Sequence, residues 1–292
     1  MPYYNSWYRF FISDVELAQL HESERKLDKL RSDLSGVKVR PWPCYMQEVK
    51  ILYEDTNILA VHKPAGLKVH GDGKNREETL VDWILNIHPE LKEVGEPLMA
   101  NDQLPMTIYR PGIVHRLDRE TSGVLLIAKN QKSFTYLKGL FKERLIKKTY
   151  IAFVYGNMSR REGVVEKPIG RSAKTPSLWS ASGNAQGKVR EALTEYKVLS
   201  QGSEYACLEV RPKTGRTHQI RVHLKFLGHP VVCDTLYAKK RECPETLGRL
   251  GLHAYALEFR NEEGIELRLE APLPEDMKQF LNKEFSDLQM VL

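Results

Sequence analysis

From Glu48 onward, short apolar runs alternate with amphipathic stretches, and their two periods separate strands from helices. Lys50 to Tyr53 and Ile58 to His62 read as a strand pair, and Val124 to Ala128 as a buried strand ended by Lys129-Asn130. Lys148 to Val154, Ala192 to Leu199, Tyr205 to Arg211, Leu252 to Phe259 and Ile265 to Glu270 read as further strands. Thr79 to His88 reads as a helix stopped by Pro89, and Asn130 to Leu145 as a longer one with Phe134, Leu137 and Phe141 inward. Pro274 to Lys283 closes the pattern as a helix. Many strands without regular crossover helices predict an α+β fold on a mostly antiparallel sheet rather than a doubly wound one.

Residues 1–45 stand apart from residues 46–292. Asp14 to Leu34 is charged and helix-like, with Leu20, Leu27, Leu30 and Leu34 on one stripe, and Pro41-Trp42-Pro43 is a stiff connector. The expectation is an N-terminal helical extension followed by one catalytic domain.

Bulk properties narrow the class. The 292 residues suffice for a sizeable core, and 44 Lys plus Arg against 38 Asp plus Glu give a net charge of +6. With pI near 9.0, this suits a protein that meets a polyanion on one face. The chain start has no signal-peptide pattern, and no apolar run approaches the roughly 18 residues of a membrane span, so a cytoplasmic protein is expected. The 4 cysteines, at 44, 207, 233 and 243, form no C-x-x-C pair and are expected as reduced thiols.

Two segments carry the chemistry. In His115-Arg116-Leu117-Asp118-Arg119-Glu120-Thr121-Ser122-Gly123 an acid lies between two arginines, on a loop entering the buried strand. Alone, Asp118 reads equally as a turn residue with solvated neighbours. The second segment, Arg211 to Leu224, places Lys213, Arg216, His218 and Arg221 around the first turn of a helix capped by Thr217 and ended by Gly228. Ile220, Leu224 and Leu227 form its core stripe, so the basic groups gather where the helix dipole already favours anions. Other chemistries fit poorly. His115, His218 and His223 have no cysteine or acid at ligand spacing, so no metal site is expected. Ser122 lacks the glycines of a nucleophile elbow. Gly183 to Val189 has the wrong spacing for a phosphate loop and reads as a flexible connection. A glycosidase-like pair of acids has only Glu120 near Asp118.

These two segments resemble the signatures of RluA-type pseudouridine synthases. Three more matches follow the same order: Ile58 to Leu67 containing Lys63-Pro64, Lys148 to Gly156, and Gly228 to Tyr237. Together they run from about Tyr53 to Pro272. The resemblance implies a long, bent, mostly antiparallel mixed sheet in two subdomains around a central catalytic cleft. It implies that Asp118 is the catalytic aspartate acting on a uridine in ribosomal or transfer RNA. It further implies that Tyr150 packs against the target base, that Arg221 pairs with the catalytic carboxylate, and that Arg116 enters the RNA stack. His115, Arg216, His218, Gln219 and Lys63 are the remaining expected substrate-binding residues. Isomerisation moves no electrons, so no cofactor or metal is expected, and RNA is the expected partner of a monomer. Whether Asp118 is nucleophile or base stays open, as does a catalytically inactive RNA-binding or ribosome-assembly factor on the same fold. The chain departs from the pattern at His62, where the family has asparagine, and at Cys233, where it has glycine. The stretches Arg171 to Arg190 and Lys239 to Leu250 read as insertions.

Overall fold

Four strands that the hydrophobic pattern predicts meet in one row across a large sheet, and that row sets the geometry of the site. The computed structural model describes residues 49–71, 77–96, 110–181 and 185–285. The expected N-terminal extension lies outside the described residues, as does Cys44. The strands are β1 (Lys50–Glu54), β2 (Ile58–Lys63), β3 (Ser122–Ala128), β4 (Lys147–Tyr155), β5 (Glu162–Glu166), β6 (Ile169–Ser172), β7 (Trp179–Ser180), β8 (Ala185–Arg190), β9 (Leu193–Gln201), β10 (Tyr205–Pro212), β11 (Leu252–Arg260) and β12 (Glu266–Glu270). The helices are α1 (Leu80–Ile87), α2 (Gln131–Lys142), α3 (Gln219–Phe226) and α4 (Glu275–Glu284), with a 3-10 turn at Pro89–Glu93. Among the described residues no helix is long and apolar enough to cross a membrane.

Nine strands form a mixed sheet in the order β1-β2-β3-β11-β4-β10-β9-β5, with β12 also on β11. All its pairings are antiparallel except β3 with β11, which is parallel and only two residue pairs long. The sheet divides at this short seam. On one side β1–β3 pack with α2 around Val124, Leu126, Phe134 and Leu137. On the other, β4, β9 and β10 carry two cores, one under α3 (Val154, Leu208, Ile220, Leu224) and one under α4 (Phe153, Met277, Phe280). The Ile220, Leu224 and Leu227 stripe therefore faces the sheet as expected, and each fully buried leucine there contributes about 2 kcal/mol.

Gly123 makes the seam possible. A Cβ at this position would lie 2.2 Å from the Ala254 carbonyl oxygen, and its φ of +127° is one that side chains disfavour. Ala254 pairs with Gly123 on one side and Tyr150 on the other, and Gly123 pairs with Lys63. The strand behind Asp118 and the strand carrying Tyr150 are thus held in fixed register across β11.

Three expectations are corrected. The Gly183 to Val189 stretch is not a flexible connection over its described part: residues 185–190 are β8, which with β6 and β7 forms a separate three-stranded sheet, and Ile169 and Ala181 pack on Val222 and Tyr237. The strand β8 is mostly exposed, so it lacks the alternation that marks a strand in sequence. Cys233 and Cys243 are not thiols but a disulfide, their Cα atoms 4.7 Å apart, while Cys207 is a buried thiol as expected. Sequence spacing does not show that one loop folds back on itself. Thr217 does not cap α3, whose N-cap is His218 in the left-handed conformation (φ 55°). Gly228, at φ +90°, follows the helix end as expected.

Candidate active site

Asp118 lies on the loop leading into β3, and backbone contacts hold that loop from three sides. The Arg119 carbonyl accepts from the Gly66 amide at 2.9 Å and from Lys63 Nζ at 3.1 Å. Lys63 is fully buried and also donates to the carbonyls of Pro64 and Leu67, both at 2.8 Å. Burial lowers its pKa to about 7, opposed by the charges of Glu120 and Asp118. On the other side Ser122 bonds His253 Nδ1 at 2.8 Å, and His253 Nε2 bonds the Ala271 carbonyl at 2.9 Å. The burial of His253 pushes its pKa down to about 3, so it is a neutral imidazole whose Nε2 carries the hydrogen.

Arg221 reaches the site from α3. Its Nε and Nη2 donate to the two carboxylate oxygens of Asp234, each at 2.7 Å, and its Nη1 lies 3.5 Å from Asp118 Oδ2. Asp234 Oδ1 also accepts the amides of Leu236 and Tyr237 at 3.0 Å. Burial opposes the charge of Arg221, but the hydrogen bonds and charge of Asp234 outweigh it and raise its pKa. The guanidinium is therefore fixed by one carboxylate and presented to the other.

Tyr150 stands on β4 in the wall of a cavity of about 500 Å³ that Asp118 and Arg221 also line. Burial and the Asp118 charge push the phenol pKa up, so it stays protonated. His218 Nε2 is 3.9 Å from Asp118 Oδ2, and its Nδ1 bonds the Tyr237 hydroxyl at 2.9 Å. Burial lowers the His218 pKa, with the Arg221 charge adding and Asp118 opposing, so the ring faces Asp118 as a neutral group.

The structure brings Asp118, Tyr150, Arg221, Arg116, His115, Arg216 and His218 to this cavity. Arg116 is exposed and has no ion-pair partner among the described residues. Arg216 donates through Nε to the Glu191 carbonyl at 3.0 Å, leaving the rest of its fork at the cavity wall. His115 has a supporting role: its Nε2 accepts the Leu126 amide at 2.9 Å and its ring stacks on Phe141 at 4.6 Å. Two further expected substrate-binding residues differ in place. Lys63 is spent on backbone carbonyls and does not line the cavity. Gln219 does line the cavity, and its amide accepts from Thr214 Oγ1 and the Arg216 amide, at 2.6 and 3.0 Å, and donates to Leu193 and Thr194, so it shapes the loop as well.

Sequence reasoning assigned no role to Asp234, Tyr237, Arg144 or Lys148. Asp234 and Tyr237 stood inside the quoted Gly228 to Tyr237 match, three residues apart, which was the available signal. Arg144 and Lys148 add cations to the cavity, and the burial of Lys148, with Arg144 nearby, lowers its pKa to about 8.

A carboxylate paired with a buried guanidinium, opposite an aromatic wall and beneath a cationic rim, defines an α+β enzyme site for an anionic, ring-bearing substrate. The family model described as RNA pseudouridylate synthase matches residues 57–226. The ribosomal large subunit pseudouridine synthase D of Borreliella burgdorferi is 38% identical over 85% of this chain and 69% of its own length. An uncharacterized RNA pseudouridine synthase of Mycoplasma pneumoniae is 36% identical over 91% of this chain and 78% of its own. The solved human RNA pseudouridylate synthase domain containing 4 is 27% identical with a TM-score of 0.61, covering 80% of this chain and 92% of its own. The chain belongs to the RNA pseudouridine synthase family, in its RluA-type group.

Proposed function

We propose that Asp118 is the catalytic carboxylate for converting a uridine within ribosomal or transfer RNA to pseudouridine. The observation that carries this reading is the Asp118–Arg221–Asp234 relay on the wall of a cavity that Tyr150 also lines. The reaction breaks the ribose C1′–N1 bond, joins C1′ to C5, releases the C5 proton and leaves a proton on N1. The Asp118 carboxylate attacks the sugar or ring, or takes a ribose proton, and Arg221 compensates its charge in the closed site. Tyr150 offers a face against which a detached base turns, since extruded bases stack on aromatic side chains. As a protonated phenol it hydrogen-bonds to the reacting base rather than acting as a phenolate. Arg116, exposed at the cavity and without an ion-pair partner among the described residues, fills the place left by the flipped nucleotide. The ribosomal target is supported by the Borreliella relative, a ribosomal large subunit pseudouridine synthase D. The enzyme acts as a cytoplasmic monomer, and the chemistry calls for neither metal nor redox cofactor.

The test is tritium release from RNA labelled at uridine C5, prepared from cells lacking this gene. Wild-type protein is expected to release tritium, and Asp118→Ala to lose release by at least about a thousandfold while RNA affinity stays near normal. Release by Asp118→Ala at the wild-type rate excludes the catalytic assignment. Tight binding without release by the wild-type protein favours an RNA-binding or assembly factor on the same fold.

A further inference from the structure

Beyond the catalytic cavity lies a second groove of about 400 Å³, lined by Lys225 of α3, Leu236, Tyr237 and the run Lys239-Lys240-Arg241. We infer that this groove holds the phosphodiester backbone of the same RNA as it leaves the catalytic cleft, an inference that rests on the proposed function.

Its charge is one-sided. Lys225, Lys239, Lys240 and Arg241 are all exposed, and none has an ion-pair partner among the described residues. Glu242 and Glu245 belong to the same loop but do not line the groove. Leu236 lines both this groove and the recess formed by Arg116, Asp118, His218 and Arg221, so the two adjoin at this side chain. A strand with its uridine at Asp118 therefore has a path over Leu236 into the lysines.

The groove is built rather than loose. The Cys233–Cys243 disulfide closes the loop carrying the three cations, and the Ala238 amide donates to the Asp234 carbonyl at 2.8 Å. The Tyr155 hydroxyl bonds the Glu242 carbonyl at 2.7 Å, and the Arg241 guanidinium sits 5.7 Å over the Tyr155 ring. Lys225 Nζ lies 5.3 Å from the Tyr237 ring, which also carries Arg221 at 5.2 Å and so ties the groove to the catalytic relay. Lysine ammonium groups are rotatable point charges, suited to phosphates rather than to base edges, so the groove adds affinity without reading sequence.

The experiment uses the full chain and intact uridine-C5-tritiated RNA from cells lacking the gene, measuring dissociation constants over a salt series together with kcat and KM. The triple substitution Lys239→Ala, Lys240→Ala, Arg241→Ala is expected to weaken binding at least about tenfold near physiological salt, and to flatten the logarithmic salt slope by about 2 to 3. KM rises accordingly while kcat at saturating RNA is retained. Lys239→Arg with Lys240→Arg keeps the charge and should keep the wild-type slope, which separates lost cations from a disturbed loop. An unchanged affinity and salt slope in the triple variant overturns the inference, and so does a fall in kcat alone, which would make the loop a prop for the active site. Failure of the wild-type protein to release tritium defeats the functional reading instead, while the salt series still reports whether the groove binds RNA.

Discussion

At the scale of single residues, Asp234 is the side chain on which the site depends without being exposed to substrate. Its carboxylate is fully buried and accepts four hydrogen bonds, two of them from Arg221. Substitution by asparagine keeps the shape but leaves a buried guanidinium facing a neutral amide, and breaking a buried pair in this way costs about 3–5 kcal/mol. Freed of its second carboxylate, Arg221 is expected to swing toward Asp118. Asp234→Asn should therefore lower both the unfolding midpoint and kcat, with KM for RNA little changed. A variant of wild-type stability would show that the pair is not what fixes Arg221. This residue also marks where sequence reading stops. That Asp118, Tyr150 and Arg221 belong to one site was legible from motif matches, whereas the Asp234–Arg221 pairing is a tertiary fact. Lys63 was misplaced because lysine is almost never buried without dedicated acceptors, and here two carbonyls of the adjoining turn are joined by that of the distant Arg119.

At the scale of elements, the main strands and the four helices among the described residues were legible because each buries an apolar face with a clear period. Of the four strands without a sequence signal, β5 and β8 share a cause: they are largely exposed edge strands, ordered by pairing rather than by an apolar pattern, while β6 and β7 are only four and two residues long. The end of α2 shows function imposed on local structure. Arg144 follows the helix at φ 62°, and the Leu145 amide bonds the Leu140 carbonyl at 2.9 Å, a termination that usually employs glycine. A side chain there costs about 1 kcal/mol, yet it places a cation on the wall of the catalytic cavity. Arg144→Gly is expected to stabilise the protein by about 0.5–1 kcal/mol and to weaken RNA binding several-fold. Thermal unfolding and kcat/KM on the same samples test both halves, and a destabilised variant with full activity would remove the argument.

At the scale of the molecule, β2, the approach to β3 and the facing strand β11 carry three histidines kept neutral by burial. The pKa is pushed down to about 3 for His115 and His253 and to about 4 for His62, whose ring meets His253 edge-on at 5.5 Å. Each takes up a proton near pH 6.5 when unfolded but not when folded. The unfolded chain thus binds more protons between about pH 6.5 and the folded values, so stability falls as pH falls through that window. For His253, which is fully buried, the loss reaches about 1.4 kcal/mol per pH unit. Most carboxylates titrate lower, so the urea midpoint should drop clearly between pH 7 and pH 5, where histidine dominates. His253→Gln should lower the midpoint at pH 7, because Ser122 and Ala271 lose a shaped partner, yet flatten its dependence on pH. Equal midpoints at pH 7 and pH 5 in the wild-type protein would contradict this account. Because Ser122 ties His253 to the loop of Asp118, tritium release should decline with the same acid profile, before global unfolding is complete.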